Sequence, residues 1–343
     1  MARPLRLAIV GFGNVGRRFA ELLGGAYRGP LEDAGIRPVV TAIASGRHGR
    51  AIDARGLPLD ACLDAVRNGG TLDAFHRDAT LRSTVALVRR APADVLLELT
   101  PLDPRTGRPA LDHVRTALAR GVHVVTANKG PVAFARRRLV ALAQRRGVRF
   151  LHEGAVMDGA PVFNLVERCL PGCRVLAFRG TLNATTSHVL ARMEAGVSKA
   201  AAVAEMQAAG IAEADPRNDL DGWDAAVKGC ALANVLLAGD VRPADVDRTG
   251  VARIGLAEVR AAAARGQRIR LVTRAARDGG RVRVRVAPER LPLGDPLAGG
   301  GDASVLVLQT DLMGEVGVIE NGGTVDQTAY ALLSDVLSLA RRS

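Results

Sequence analysis

An acidic stretch that leads into a lysine is the part of this sequence best suited to chemistry. Residues 211–228 read IAEADPRNDLDGWDAAVK, so that five carboxylates precede Lys228. An apolar helical pattern follows, which predicts a helix that begins near Asp221 and carries Asp224 and Lys228 on one face, four residues apart. Single carboxylates before a helix are often caps for its free N–H groups. Five of them beside one lysine favour a site for a small cationic ligand, with the lysine as a proton carrier.

Lysine is scarce in this chain. Of 47 lysines and arginines, only Lys129, Lys199 and Lys228 are lysine. A guanidinium does not deprotonate in proteins whereas an ammonium can, so a lysine in an arginine-rich sequence is a candidate for chemistry that arginine cannot perform. Lys129 and Lys228 lie in motifs. Lys199 lies in an exposed-looking helical pattern and is attributed to chance.

Composition argues against several classes of protein. The net charge is +12, but the arginines are scattered, and no basic stripe with interleaved aromatic residues indicates nucleic-acid binding. No apolar run approaches the ~20 residues of a membrane helix. The four cysteines have neither zinc-site nor redox spacing. We therefore expect a cytoplasmic protein with free thiols that binds neither nucleic acid nor membranes.

A glycine-rich turn follows the first apolar strand, residues 5–10, and opens a helix. The order of strand, GxGxxG and helix is the context that a dinucleotide-binding fingerprint requires. Its glycines, Gly11, Gly13 and Gly16, permit a tight turn and let the backbone approach a pyrophosphate at the positive end of the helix.

The end of the predicted second strand, residues 38–44, bears on the choice between the two nicotinamide cofactors. Sites that prefer NAD(H) usually place an acid there to bind the ribose 2′-hydroxyl. This chain instead continues with SGRHGR, residues 45–50. A guanidinium binds a 2′-phosphate through charge-assisted hydrogen bonds, so we expect NADP(H) to be preferred over NAD(H), with Arg47 as the contact. The alternative is that Arg47 is only one more surface arginine.

The pattern of strands and helices predicts an α/β protein of two domains. Alternation over residues 1–151 predicts a doubly wound parallel sheet of the Rossmann type, completed by a C-terminal helix within 322–343. Residues 152–321 change to an α+β pattern with a largely antiparallel sheet. We expect this second domain to bind substrate and to form a homodimer.

Five motifs occur together and in order: GFGNVG, HVVTANKGP, EGAVMDGAP, GTLNATT and AEADPRNDLDGWDAAVK. With them the chain resembles homoserine dehydrogenase over nearly its full length. The resemblance implies reversible reduction of L-aspartate 4-semialdehyde to L-homoserine with NADPH or NADH, on the way to threonine and methionine. The chain ends about where the catalytic core of the family ends, so it resembles the short form without a regulatory domain.

The resemblance also implies roles for single residues of the acidic stretch. Lys228 matches the catalytic lysine of the family, and Asp224 matches its partner. Glu213 and Asp219 match the acids that hold the amino group of the substrate. The substrate carboxylate needs hydrogen-bond donors, and suitable ones come from Asn183, Thr185 and Thr186.

Cofactor and cation residues follow from the same resemblance. Lys129 and Thr100 match residues that line the nicotinamide, and Lys129 is also counted among the catalytic residues. The pyrophosphate loop adds Phe12, Asn14 and Val15. Some members hold Na⁺ or K⁺ through backbone oxygens that align with Glu153, Val156, Asp158 and Ala160.

Two departures from the family keep alternatives open. Ala184 stands where the family usually has a glycine in its substrate turn, and residues 320–325 replace a common glycine-alanine-glycine pattern. A dehydrogenase of the same fold that acts on another amino-acid aldehyde, or on an amino acid, is one alternative. A catalytically silent NADP-binding regulator is the other, although it would have no need of the Asp224/Lys228 pair.

Overall fold

The computed structural model describes residues 3–25, 27–78, 80–208, 216–299 and 303–340. Contacts between residues divide the chain into two units. The first unit comprises Met1–Pro161 and Thr324–Ser343, and the second comprises Val162–Gly323. Among the described residues, no helix combines the length and the apolar character that crossing a bilayer requires.

Six strands form the sheet of the first unit. They are β1 (Arg3–Val10), β2 (Ile36–Ser45), β3 (Gly49–Ile52), β4 (Val95–Glu98), β5 (His123–Thr126) and β6 (Phe150–Leu151). Their order is β3-β2-β1-β4-β5-β6, with all pairs parallel except β2 with β3. This is the strand order of the dinucleotide-binding fold. The predicted Rossmann sheet is confirmed, with the difference that its edge strand β3 runs antiparallel to β2.

Helices between these strands supply the apolar faces that bury the sheet. They are α1 (Asn14–Gly24), α2 (Arg28–Asp33), α3 (Leu59–Arg67), α4 (Thr84–Arg90), α5 (Ala110–Ala119) and α6 (Lys129–Arg145). Phe19 on α1 and Leu63 on α3 lie in one buried cluster with Leu7 and Ile9 of β1. The central strands are apolar on both faces because helices cover both.

The second unit contains a six-stranded sheet that is antiparallel apart from one short pair. Its strands are β7 (Val175–Thr181), β8 (Asp247–Arg248), β9 (Gln267–Asp278), β10 (Arg281–Pro292), β11 (Ser304–Thr310) and β12 (Glu315–Glu320). Their order is β12-β11-β7-β9-β10-β8, and β8 runs parallel to β10. The α+β prediction for this part of the chain is confirmed.

The helices of the second unit are α7 (Val162–Asn164), α8 (Ala184–Glu194), α9 (Lys199–Ala208), α10 (Arg217–Leu220), α11 (Trp223–Leu236) and α12 (Leu256–Ala263). Of these, α8, α11 and α12 pack against β9. Val189 and Leu190 of α8 share a buried cluster with Leu271 of β9 and Val286 of β10. The last helix of the chain, α13 (Val325–Ser338), belongs instead to the first unit, where it packs against α1.

The helix predicted to begin near Asp221 is present as α11, and its first residue is Trp223. Residues 217–220 form α10 by themselves, and α11 begins at Trp223. Gly222 lies between the two helices with a φ of 79°, a left-handed conformation through which a right-handed helix cannot continue. The predicted pairing of Asp224 with Lys228 on one helix face is nevertheless present, because both residues follow the break.

Candidate functional site

The glycine turn between β1 and α1 has the geometry of a pyrophosphate-binding loop. Gly11 has a φ of 104°, and a Cβ atom there would collide with the backbone of Leu99. A Cβ atom on Gly16 would collide with the Gly11 carbonyl oxygen. Around Gly13, by contrast, no described atom lies within 4 Å of the Cβ position. An open backbone at the middle glycine, at the start of a helix, fits the close approach of a pyrophosphate.

Other residues of this turn have distinct surroundings. The Phe12 side chain is buried in the core of the first unit, so that only its main chain can face a ligand. Val15 packs against the same core. Asn14 begins α1, and its Oδ1 accepts a hydrogen bond from Arg17 Nη2 at 2.8 Å. The cofactor role of these three residues stays a prediction.

A buried carboxylate lies directly behind Thr100. Glu98, fully buried at the end of β4, accepts a hydrogen bond on Oε1 from Thr100 Oγ1 at 2.5 Å and another from Thr100 N at 3.3 Å. His113 Nδ1, on α5, is 3.3 Å from the same oxygen. Burying a carboxylate is costly unless hydrogen bonds compensate it, and here they fix the position of Thr100. Sequence reasoning missed Glu98, although an acid inside the apolar run DVLLEL was a visible signal.

The ends of β4 and β5 are tied together by side chains. Asn128 Nδ2 donates to Thr100 O at 2.8 Å, and Asn128 N donates to Thr126 Oγ1 at 2.9 Å. Asn128 Oδ1 accepts from Gly130 N and so caps α6, whose first residue is Lys129. Thr100 and Lys129 are thereby attached to one network at the carboxyl edge of a parallel sheet, where such sheets hold ligands.

Arg47 lies in the turn between β2 and β3. Ser45 Oγ accepts hydrogen bonds from the backbone N–H groups of Arg47 and His48, both at 3.3 Å. Gly11 N donates to Ala44 O at 2.8 Å, which sets the glycine turn beside the end of β2. The Arg47 side chain is exposed, whereas Arg50 donates to Leu81 O at 3.2 Å. Of these two arginines, Arg47 is the better placed for a ligand.

The residues predicted to hold a monovalent cation lie in one loop after β6. It contains two short 3₁₀ turns, Glu153–Ala155 and Met157–Gly159. Met157 and Asp158 have φ values of 51° and 42°, a region that non-glycine residues rarely adopt. Such strain persists only where the surroundings impose it, and it is found disproportionately at functional loops.

Helix α13 holds this loop in place. Glu153 N donates to the buried carboxylate of Asp335 at 3.0 Å, and a Cβ on Gly159 would collide with Ala331. Gly159 N donates to Val156 O at 3.3 Å, and Ala160 N to Met157 O at 2.7 Å. Among the described residues, no three His, Cys, Asp or Glu side chains are grouped to hold a metal. A cation in this loop would therefore depend on main-chain oxygens.

In the second unit, Asn183 joins the two acids Asp219 and Asp224. Its Nδ2 donates to Asp219 Oδ1 at 2.7 Å and to Asp224 Oδ2 at 2.9 Å. Burial, and then the charge of Asp224, raise the pKa of Asp219, against hydrogen bonds from Asn183 and Thr185 and the charge of Lys228. Two half-buried carboxylates bridged by a neutral amide form a site that a cation would stabilise.

Lys228 lies beside this acidic pair. Its Nζ is 3.0 Å from Asp224 Oδ2 and donates to Leu182 O at 2.7 Å. Both side chains of the Lys228–Asp224 pair are less than one-fifth exposed. Because one contact comes from α11 and the other from the end of β7, the ammonium is held from two elements at once.

Asn183 also caps α8. Its Oδ1 accepts from Thr186 N at 2.8 Å, and Thr186 Oγ1 donates to Asn183 O at 3.1 Å. Thr185 and Thr186 are both buried. Ala184 is the first residue of α8 and has no positive φ, so replacing the family glycine strains nothing here. Thr186 serves the cap, and its contact with substrate stays a prediction.

One predicted substrate residue cannot be compared with this geometry. Glu213 lies outside the described residues, as does the segment 209–215 that contains it. Two other acids of the acidic stretch, Asp219 and Asp224, are described, and Asn183 bridges them.

Comparison with known proteins assigns both parts of the chain. Residues 11–153 match the NAD-binding domain of homoserine dehydrogenase, and residues 161–337 match the homoserine dehydrogenase family. An NAD(+)-dependent homoserine dehydrogenase of Pseudomonas canavaninivorans is 36% identical over 346 residues, covering 97% of this chain and 96% of the relative.

Solved structures agree with this assignment. A homoserine dehydrogenase from Thermoplasma acidophilum superposes with a TM-score of 0.83 at 26% identity, covering 98% of this chain and 99% of that one. A hyperthermophilic archaeal homoserine dehydrogenase in complex with NADPH superposes with a TM-score of 0.81 at 25% identity, covering 99% of each chain. The chain belongs to the homoserine dehydrogenase family and is an oxidoreductase that acts on a CH–OH group with a nicotinamide cofactor.

Proposed function

We propose that this enzyme interconverts L-aspartate 4-semialdehyde and L-homoserine with Asp219 and Glu213 binding the substrate ammonium and Lys228 transferring the proton. The observation that carries the proposal is the chain of contacts Asp219–Asn183–Asp224–Lys228. It sets a cation-binding acid and a proton donor side by side. The substrate presents an ammonium at one end and a reacting aldehyde at the other.

Lys228 has the placement of a general acid in the direction of reduction. A bound nicotinamide supplies the hydride, and the aldehyde oxygen must gain a proton as the hydride reaches carbon. Asp224 Oδ2 and Leu182 O fix the ammonium. A fixed ammonium also stabilises the negative charge that develops on the aldehyde oxygen.

The direct test mixes the protein with NADPH and L-aspartate 4-semialdehyde and follows loss of the reduced-nicotinamide absorbance. We expect turnover, and the reverse reaction with L-homoserine and NADP⁺. Turnover with another amino-acid aldehyde but not with this one would contradict the substrate proposal.

Replacing Asp219 with asparagine should raise KM for the aldehyde by about tenfold or more, the scale of a charged hydrogen bond. Substrate binding requires the ionised carboxylate, and its pKa is raised by burial. In the wild type, KM should therefore rise as the pH falls through this raised pKa, and in Asp219→Asn that dependence should disappear. KM is measured against pH, with the exposed Asp247 of the same unit, changed to asparagine, as the control.

The same variant should keep its thermal stability. A carboxyl whose pKa is higher in the folded than in the unfolded state favours folding below the unfolded pKa, and loses that contribution as the pH rises through the folded pKa. At neutral pH the ionised Asp219 therefore opposes folding, and asparagine removes this cost. A large fall in Tm together with the rise in KM would indicate a structural role instead.

The first unit is proposed to bind NADP(H) in preference to NAD(H) through Arg47. Arg47 is exposed and lies in the turn that follows β2, and the end of β2 is hydrogen-bonded to Gly11. One relative is named as NAD(+)-dependent, whereas a structural neighbour was solved with NADPH. The family therefore leaves the preference open, and the residues after β2 support NADP(H).

We also propose that the loop 153–160 binds Na⁺ or K⁺. Hard cations take oxygen ligands, and main-chain carbonyls in a strained turn braced by α13 are of that type. The residues that would hold the ion are Glu153, Val156, Asp158 and Ala160.

A homodimer is proposed to form through the sheet of the second unit. Apolar side chains are exposed towards the outer strands of this sheet: Ile319 on the edge strand β12 is 62% exposed, and Leu312 and Met313, in the turn before it, are 75% and 59% exposed. Exposed apolar groups beside an open strand edge are typical of an association surface. The molecular mass in solution tests this proposal, and a strictly monomeric mass at micromolar concentration would contradict it.

A further inference from the structure

A carboxylate from a distant part of the sequence lies against the turn after β2. Asp73 begins a short 3₁₀ turn, Asp73–Phe75. A Cβ atom on Gly49 would lie 2.5 Å from Asp73 Oδ1 and 3.1 Å from Oδ2. The Asp73 carboxylate therefore fills the space beside Gly49 that a side chain would occupy. Gly49 in turn pairs with Ser45, the last residue of β2.

The segment that carries Asp73 is attached to this turn. Leu72 N donates to His48 O at 2.8 Å, and His48 Nδ1 is 3.3 Å from Gly70 O. The Leu72 side chain is fully buried in the core of the first unit. The residues that directly precede Asp73 therefore hold it against the turn.

The turn itself adjoins the proposed cofactor loop. Gly11 N donates to Ala44 O at 2.8 Å, one residue before Ser45. In this fold the adenosine ribose lies where the second strand ends, beside the glycine turn. Asp73 thus places a carboxylate near the end of β2, although residues 45–50, which lie there in sequence, include no acid.

Arg47 and Asp73 do not neutralise each other. Neither side chain forms an ion pair within the part of the chain that the structure describes, and both are exposed. Two opposite charges near one ribose have opposite effects on the two cofactors. A guanidinium attracts a 2′-phosphate, whereas a carboxylate repels it and accepts a hydrogen bond from a 2′-hydroxyl.

We infer that Asp73 is a second determinant of cofactor choice, which weakens NADP(H) and favours NAD(H) at the site where Arg47 does the reverse. The inference rests on the proposed location of the cofactor in the first unit. It predicts that the preference of the wild type for NADP(H) is smaller than Arg47 alone would give.

The test measures the affinities of NADPH and NADH by fluorescence titration of the wild type, Asp73→Asn and a control. Asp73→Asn should tighten NADPH by about tenfold, the effect of removing one nearby charge at the surface. It should weaken the binding of NADH by about threefold, because the amide oxygen of asparagine accepts a weaker hydrogen bond from the 2′-hydroxyl than a carboxylate does. Asp64→Asn is the control: Asp64, on α3, is exposed and loses the same charge. It should change neither affinity.

Opposite changes for the two cofactors cannot come from a general loss of structure. Equal changes for NADPH and NADH in Asp73→Asn, or no change in either, would overturn the inference. If Arg47→Ala leaves both affinities unchanged while Asp73→Asn still changes them in opposite directions, the proposal for Arg47 fails and the inference for Asp73 is supported. Because binding is measured without the aldehyde, failure of the substrate proposal leaves this test unaffected.

Discussion

Replacing Lys228 with alanine should lower turnover by roughly 10²–10⁴, the usual contribution of general acid–base catalysis, while NADPH still binds. The ammonium is 3.0 Å from Asp224 Oδ2 and 2.7 Å from Leu182 O, so its position is fixed before substrate arrives. Removing it leaves the aldehyde oxygen without its proposed proton donor and takes away the ammonium beside Asp224. Steady-state kinetics in both directions, with a separate titration of NADPH, measure the two effects.

Lys228→Arg separates proton transfer from electrostatics. Arginine keeps the positive charge but does not give up a proton, so this variant should be nearly as slow as the alanine variant. The chain offers a matched control in Lys199, whose Nζ donates to the carbonyl oxygens of Val251 and Ala252 in the same unit. Lys199→Arg should retain wild-type turnover. An active Lys228→Arg enzyme would mean that the proton comes from another group and that Lys228 only anchors charge.

The second large effect is expected at Arg47. A charged hydrogen bond to a 2′-phosphate contributes about 1.5–3 kcal/mol, which is roughly tenfold to a hundredfold in affinity. Arg47→Ala should therefore weaken NADPH by that factor and leave NADH nearly unchanged, because NADH has no phosphate at this position. Both reduced cofactors are titrated against the wild type and the variant.

Arg55 supplies the control for this measurement. Its side chain is 88% exposed and pairs with Asp53, so Arg55→Ala removes the same charge from the same unit. We expect it to leave the ratio of the two affinities unaltered. Equal affinities for NADPH and NADH in the wild type would contradict the predicted preference. A preference that remains in Arg47→Ala would mean that another residue causes it.

Local patterns were enough to predict the parts of the site that depend on neighbours in sequence. The glycine turn follows from GxGxxG after an apolar strand, and the Asp224–Lys228 pair follows from helical spacing alone. The helix begins at Trp223, two residues after Asp221, because Gly222 adopts a left-handed φ, and the sequence alone does not show which glycine has a positive φ. The hairpin of β2 and β3 escaped prediction because SGRHGR gives no strong turn signal.

Contacts between distant residues could not be predicted in the same way. Asn183 reaches Asp219 and Asp224 because β7 ends beside α10 and α11, an arrangement that no local pattern encodes. Glu98 was visible as an acid in an apolar strand, but its partner His113 was not. Asp73 lies 28 residues beyond Ser45, so a search for an acid directly after β2 could not find it.

The return of α13 to the first unit makes the second unit an insertion in the chain of the first. Ala329, Leu332 and Val336 of this helix belong to the same buried cluster as β1 and α1. During synthesis, residues 1–161 emerge first but lack these side chains until the residues of the second unit have been made. Domains tend to fold as they emerge, and transiently exposed apolar surface invites aggregation. The apolar core of the first unit can therefore be completed only after the residues of α13 have been made, which is later than those of the second unit.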